Sequence, residues 1–149
     1  MKTATEHRAT IELATFYVGE ALCGMDILNV QEINKLMEMT KVPQAPEYVT
    51  GILNLRGQIV TVIDLGKKLG LTATELSDST RNIIVNSGNE HIGLLVSSIS
   101  DVVEAKWDKV EDPPANIGGV QGGLFKGVFK TQDRLIGILD VNKVLSEEN

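Results

Sequence analysis

Few side chains in this sequence are of a type that does chemistry, and their spacing does not favour it. An enzyme needs a nucleophile beside a base, a carboxylate pair or a metal site within reach. The two histidines are His7, in a polar stretch near the start, and His91, which follows Gly88-Asn89 and alternates with Ile92 as a solvent-facing strand residue does. A zinc site needs spaced Cys and His ligands, whereas Cys23 stands alone between Leu22 and Gly24 and reads as a small buried hydrophobe. Gly118, Gly119, Gly122 and Gly123 lack the lysine that a phosphate-binding loop carries after its glycines. Asp64 and Asp140 each precede an apolar residue, a Lys two places on and a Leu two places further. Such matched placement reads as helix N-capping. No reaction is predicted, and no cofactor or metal.

The charge balance excludes another class. With 14 Lys and Arg against 20 Asp and Glu, the formal charge is −6, and the longest basic run is Lys67-Lys68. Nucleic-acid binding requires cations gathered on one face, so no nucleic-acid partner is expected. A membrane helix needs about 20 consecutive apolar residues, and residues 1–10 lack a signal-peptide core. Together with a lone cysteine, this predicts a cytoplasmic protein with no direct membrane insertion. Hydrophobic residues make up 42% and charged residues 23%, which suits a folded domain rather than a disordered chain.

Residues 1–10 are predicted to be a flexible tail. Residues 11–18 and 21–27 read as a hairpin about Gly19-Glu20. The stretch 29–37 fits a helix or a short strand equally. Pro43 and Pro46 set a stiff bend, with a short helix expected over 47–49. Strands are predicted over 51–55 and 58–64 around Arg56-Gly57, then a helix over 65–69 ended by Gly70. Residues 72–80 read as an exposed linker. Strands follow over 82–87, 91–98 and 102–106, then a long loop over 107–123, a hairpin over 127–130 and 135–140, and a closing helical turn over 141–145.

The second half restates the first. A shift of 76 residues places Gly51, Ile59, Val62, Ile63, Asp64 and Lys67 on Gly127, Leu135, Ile138, Leu139, Asp140 and Lys143. A shift of 69 places Gly19, Gly24, Val30, Glu32 and Ile33 on Gly88, Gly93, Ile99, Asp101 and Val102. The chain therefore reads as an internal duplication, with halves near 11–71 and 80–146. Sets of about five short strands are best closed into small barrels, which removes exposed edges. The alternative is a single mixed sheet.

One run stands out, from Tyr48 through Gly51-Ile52-Leu53-Asn54-Leu55-Arg56-Gly57 to Val62-Ile63-Asp64-Leu65. It resembles the CheW family of chemotaxis coupling proteins, where G-[IV]-x-N-L-R-G-x-[IV]-x-P-[IV]-[IV]-D-L is typical. Gly24-Met25-Asp26-Ile27 with Val30, Glu32 and Ile33 is similar to the family's other marker. Thr61 stands where the family usually has proline, and Met25 replaces a β-branched residue. The resemblance spans residues 11–146. It implies an all-β fold of two intertwined five-stranded SH3-like barrels with pseudo-two-fold duplication and short helices. It also implies a non-catalytic adaptor whose partners are the regulatory domain of the histidine kinase CheA and the cytoplasmic tip of chemoreceptors.

Seven residues are expected to serve protein binding: Val30, Glu32, Gly51, Asn54, Arg56, Gly57 and Val102. Some of Ile52, Leu55, Ile59, Val62 and Ile63 should face outward as the apolar centre of an interface. Arg56 at the hairpin tip supplies a planar cation of the kind enriched at hot spots, or pairs locally with Glu32; the two roles are compatible. The resemblance places Val30 at a kinase or receptor contact and Val102 in a receptor groove between barrels. A competing reading is a small-molecule sensor with a ligand between the barrels, disfavoured because the six aromatic residues are scattered.

Overall fold

Short runs of β-branched and aliphatic residues, broken by turn residues every six to nine positions, make this a strand-dominated chain. The computed structural model describes residues 9–117 and 120–146. The strands are β1 (Thr10–Val18), β2 (Ala21–Asp26), β3 (Glu32–Lys35), β4 (Val49–Leu55) and β5 (Gln58–Asp64), followed by helix α1 (Leu65–Lys68). Then come β6 (Arg81–Ser87), β7 (Glu90–Val96), β8 (Ser98–Lys106), β9 (Val110–Glu111), β10 (Asn116–Ile117), β11 (Val120–Gln121), β12 (Phe125–Lys130), β13 (Leu135–Leu139) and helix α2 (Val141–Leu145).

The strands form two sheets and a small ribbon. One sheet has the order β8-β1-β2-β13-β12-β9, the other β3-β6-β7-β5-β4, and β10 pairs with β11. Each sheet draws strands from both sequence repeats, so the repeats are interwoven. Register reproduces the duplication residue by residue. Ile138 lies opposite Gly24 in a parallel pair, and Val62 lies opposite Gly93 in the matching one. Gly51 faces Val62 and Gly127 faces Ile138, each beside a bulge at the same position. The sixth strand, beyond the expected five, is β9. Its counterpart in the second barrel is the single bridge Thr40↔Ile52, so both barrels close at the same place, one with a longer contact.

Side-chain alternation divides the core in three. Ile11, Leu13, Leu22, Ala105, Ile136 and Ile138 fill the first barrel. Leu53, Val60, Val62, Ile84 and Leu95 fill the second. A larger cluster, with Phe16, Met25, Ile63, Leu65, Ile83, Leu94, Phe125, Leu139 and Val144, lies between them. The helices belong to that layer. Asp64 caps α1 by accepting from the Lys67 backbone N–H at 3.3 Å, and Asp140 caps α2 from the Lys143 N–H at 3.2 Å.

Several expectations need correction. Residues 1–8 of the expected tail lie outside the described residues, but Thr10 already pairs with Lys106 in β1. The expected helix over 47–49 is a single turn, closed by Val49 N–H to Pro46 O at 2.9 Å, because β-branched Val49 is drawn into β4 opposite Ile63. The stretch 29–37 resolves to strand β3. The stretch 72–80 is no free linker: Thr74 binds the Asp64 carboxylate, and Thr80 is fully buried. The loop over 107–123 contains β9 and the β10–β11 ribbon, with Gly118 and Gly119 outside the described residues.

Candidate protein-binding surface

The β4–β5 hairpin turns in two residues, Arg56 and Gly57, at φ 53° and 87°. Positive φ at both central positions is the mirror-image turn whose twist matches antiparallel strands. Glycine adopts it freely, whereas Arg56 is held there by the pairing on either side, Leu55 opposite Gln58. Asn54 supplies the lock, its side-chain Oδ1 accepting from the Gly57 N–H at 2.8 Å. The Asn-Leu-Arg-Gly centre is thus a turn-forming unit that ends in a projecting guanidinium.

That guanidinium pairs with the Glu32 carboxylate at the start of β3. The pair sits at the surface, with Arg56 69% and Glu32 25% exposed on their side chains. The hydrogen bond from Arg56 holds the Glu32 carboxyl below its usual range; partial desolvation opposes this, while the Asn34 amide and the Arg56 charge reinforce it. The carboxylate is therefore ionised at neutral pH and fixes the cation beside the tip. An exposed, solvent-screened pair of this kind contributes little to folding, so the arginine is not a structural necessity.

The other expected residues fall into different surroundings. Val102 is 55% exposed on β8. Val30 is half-buried in the link from β2 to β3, packed against the layer between the barrels. Gly51 is buried, and a Cβ there would stand 2.7 Å from the Thr40 carbonyl oxygen; its contribution is to let the second barrel close. Of the five apolar residues of the hairpin, Ile59 alone is well exposed, at 58%. Val62 belongs to the interior of the second barrel and Ile63 to the layer between barrels. The motif is apolar because it serves two cores, a demand the expectation of one small barrel understated.

Sequence reasoning missed Ile33 and Leu135 as exposed apolar residues. The duplication held the signal. The shifts place Ile33 on Val102 and Ile59 on Leu135, so each barrel presents an aliphatic residue at the same two places. Asp101, which the shift of 69 places on Glu32, lies 4.0 Å from Arg134 of the β12–β13 hairpin, two positions beyond the match of Arg56.

Among the described residues, no group of three His, Cys, Asp or Glu is placed to hold a metal. Cys23 is buried, and burial pushes its thiol up to about 12, far from the thiolate needed for nucleophilic work. His91 Nδ1 lies 3.1 Å from Gln31 Oε1 on a half-buried strand face. No helix among the described residues is long and apolar enough to cross a membrane.

Interwoven twin barrels with apolar and ionic groups presented at hairpin tips and strand faces define a protein-binding scaffold. The CheW-like domain model matches residues 12–149, and the chain belongs to that family. It is 32% identical to the chemotaxis protein CheW of Treponema pallidum over 92% of this chain and 83% of that protein. It is 30% identical to the chemotaxis protein CheW of Thermotoga maritima, over 99% and 95% respectively. Among solved structures, the scaffolding protein TtCheW from Thermoanaerobacter tengcongensis superposes with a TM-score of 0.85 at 31% identity, covering 99% of this chain and 96% of that one.

Proposed function

We propose that this chain is a non-catalytic adaptor of a chemosensory array, coupling chemoreceptors to the histidine kinase CheA. Membership of the CheW-like family supports the adaptor role, and relatives named as chemotaxis proteins at about 30% identity support the pathway. The partners are the CheW-like regulatory domain of the kinase and the cytoplasmic tip of the receptors, met in the cytoplasm. Residues 11–146 act as one binding domain. The observation that carries the reading is the Arg56–Glu32 pair on a rigid two-residue turn. It presents an oriented cation, beside exposed Ile59, without spending it on the fold. Arg56, Val30 and Val102 make contact with partners; Glu32, Asn54, Gly57 and Gly51 set the shape that presents them.

Calorimetric titration against a CheA regulatory domain and a receptor-tip peptide dimer tests this. Arg56→Ala should leave the melting curve nearly unchanged and weaken binding of one partner by about 1–3 kcal/mol, as loss of a hot-spot arginine does. Absence of binding to both partners by the folded wild-type chain would sink the proposal.

A further inference from the structure

Val102 owes its exposure to an irregularity in β8. That strand pairs with β1 in regular register from Thr10↔Lys106 to Ala14↔Val102, and again over Phe16↔Ile99 and Tyr17↔Ser98. Between the two runs Thr15 alone faces both Ser100 and Asp101, so β8 carries one extra residue, a β-bulge. Side chains on a strand alternate with a period of two, so one extra residue moves all that follow to the other face. Continued from Phe16↔Ile99 without the bulge, the pairing would set Val102 opposite Leu13, inside the first barrel, and Val103 opposite Glu12, outside it. The observed register reverses both. Val103 packs into the barrel with Leu13, and Val102 stands 55% exposed opposite Ala14.

A bulge leaves a backbone group that the ladder cannot pair, and a buried group of that kind needs another partner. Thr15 supplies it, its side-chain hydroxyl donating to the Asp101 carbonyl oxygen. Thr15 is 1% exposed and lies on the barrel-facing side of β1 with Ile11 and Leu13, so a hydroxyl is placed among apolar side chains to hold the extra residue. The second barrel has no such device. The shift of 69 places Thr15 on Ile84, an apolar core residue, and β3 pairs with β6 without a shift of register.

We propose that Thr15 is a positioning residue for partner binding, its hydroxyl holding the bulge that turns Val102 outward. This rests on the adaptor reading, in which Val102 makes contact with a partner, and gives a buried residue of the first barrel a part in that contact. Valine at position 15 has the shape of threonine but leaves the Asp101 carbonyl without its donor. Serine keeps the donor.

Titration of the full chain against the receptor-tip peptide dimer and the CheA regulatory domain, as a double-mutant cycle of Thr15→Val with Val102→Ala, tests this. Val102→Ala identifies the partner that Val102 touches. Thr15→Val should weaken that same partner by roughly fivefold or more, leave the other unchanged, and add little to Val102→Ala, since both remove one contact. Thr15→Ser should bind as the wild type does. If the valine variant does not fold, Thr15→Ala removes the hydroxyl without added bulk and takes its place in the cycle. Loss of both partners alike, or an effect that simply multiplies with that of Val102→Ala, would mean general damage to the barrel and would overturn the proposal. Wild-type binding by Thr15→Val beside weakened Val102→Ala would overturn it too, and leave the adaptor reading standing. Unweakened binding by Val102→Ala would remove Val102 from the adaptor reading, and the positioning role with it.

Discussion

Cys23 and Arg56 mark the two ways a single residue can be read from type and neighbours. The alternation Leu22-Cys23-Gly24 within a strand was enough to place the cysteine inside, and it is fully buried between the barrels. With its thiol pushed by burial from its ordinary range up to about 12, the native protein should react with a thiol reagent orders of magnitude more slowly than the denatured chain. The same displacement sets a pH dependence. A raised folded value contributes stability that is intact below the unfolded value and is lost as pH rises toward the folded one. Urea melts at about pH 8 and about pH 10.5 should therefore differ more in wild type than in Cys23→Ala. An equal difference would mean the thiol ionises inside the fold. Arg56 was legible in another way: its place between Leu55 and Gly57 fixed the turn, and the family's second marker nominated Glu32 as its partner across 24 residues. Its left-handed backbone was not legible, because only the two-residue pairing of Leu55 with Gln58 imposes it.

At the level of elements, strands joined by short turns were readable because period-two alternation and turn residues are local. The pieces that needed tertiary context were missed: β9, the β10–β11 ribbon and the anchoring of residues 72–80. A two-residue strand carries too little pattern to register, and Thr74 is held by a carboxylate ten positions away. Barrel closure also depends on glycines whose role is distant. At Gly51 an added Cβ would meet the Thr40 carbonyl oxygen at 2.7 Å, a backbone atom, whereas at Gly127 it would meet a Val110 methyl at 2.6 Å. Backbone yields less readily than a side chain. Gly51→Ala should cost about 1–3 kcal/mol and Gly127→Ala less, by chemical denaturation; the reverse order would refute the closure argument. The interiors differ as well. Leu13 faces Val103 in the first barrel, and the matching pair in the second is Asn82 facing Asn34. Both polar atoms of Asn82 are buried without a hydrogen-bond partner among the described residues. Replacing the pair with the residues of the first barrel, Asn82→Leu with Asn34→Val, should stabilise the protein by about 1–3 kcal/mol. A loss of stability would instead reveal a buried water satisfying them.

For the molecule as a whole, the duplication predicted two like barrels, and the observed registers match pair for pair. It did not predict which strands share a sheet, since a repeat in sequence is equally compatible with each half closing on itself. The observed arrangement interlaces them: β1 and β2 close with β8, β12 and β13, while β6 and β7 close with β3, β4 and β5. The layer between the barrels then takes Phe16 and Ile63 from the first half and Leu94, Phe125 and Leu139 from the second. Neither half retains a complete barrel or a complete central layer, so neither can bury enough apolar surface to offset its chain entropy. Polypeptides covering 1–76 and 77–149 should each lack the near-ultraviolet signal and cooperative melt of the native chain. Mixed in equal amounts they should recover both, because every missing strand is supplied by the other piece. The intact chain should correspondingly unfold in one transition by every probe. A separate melt for either fragment would mean that one barrel can form from its own repeat, and the interlaced strand order would then be a choice among folds rather than a requirement of this sequence.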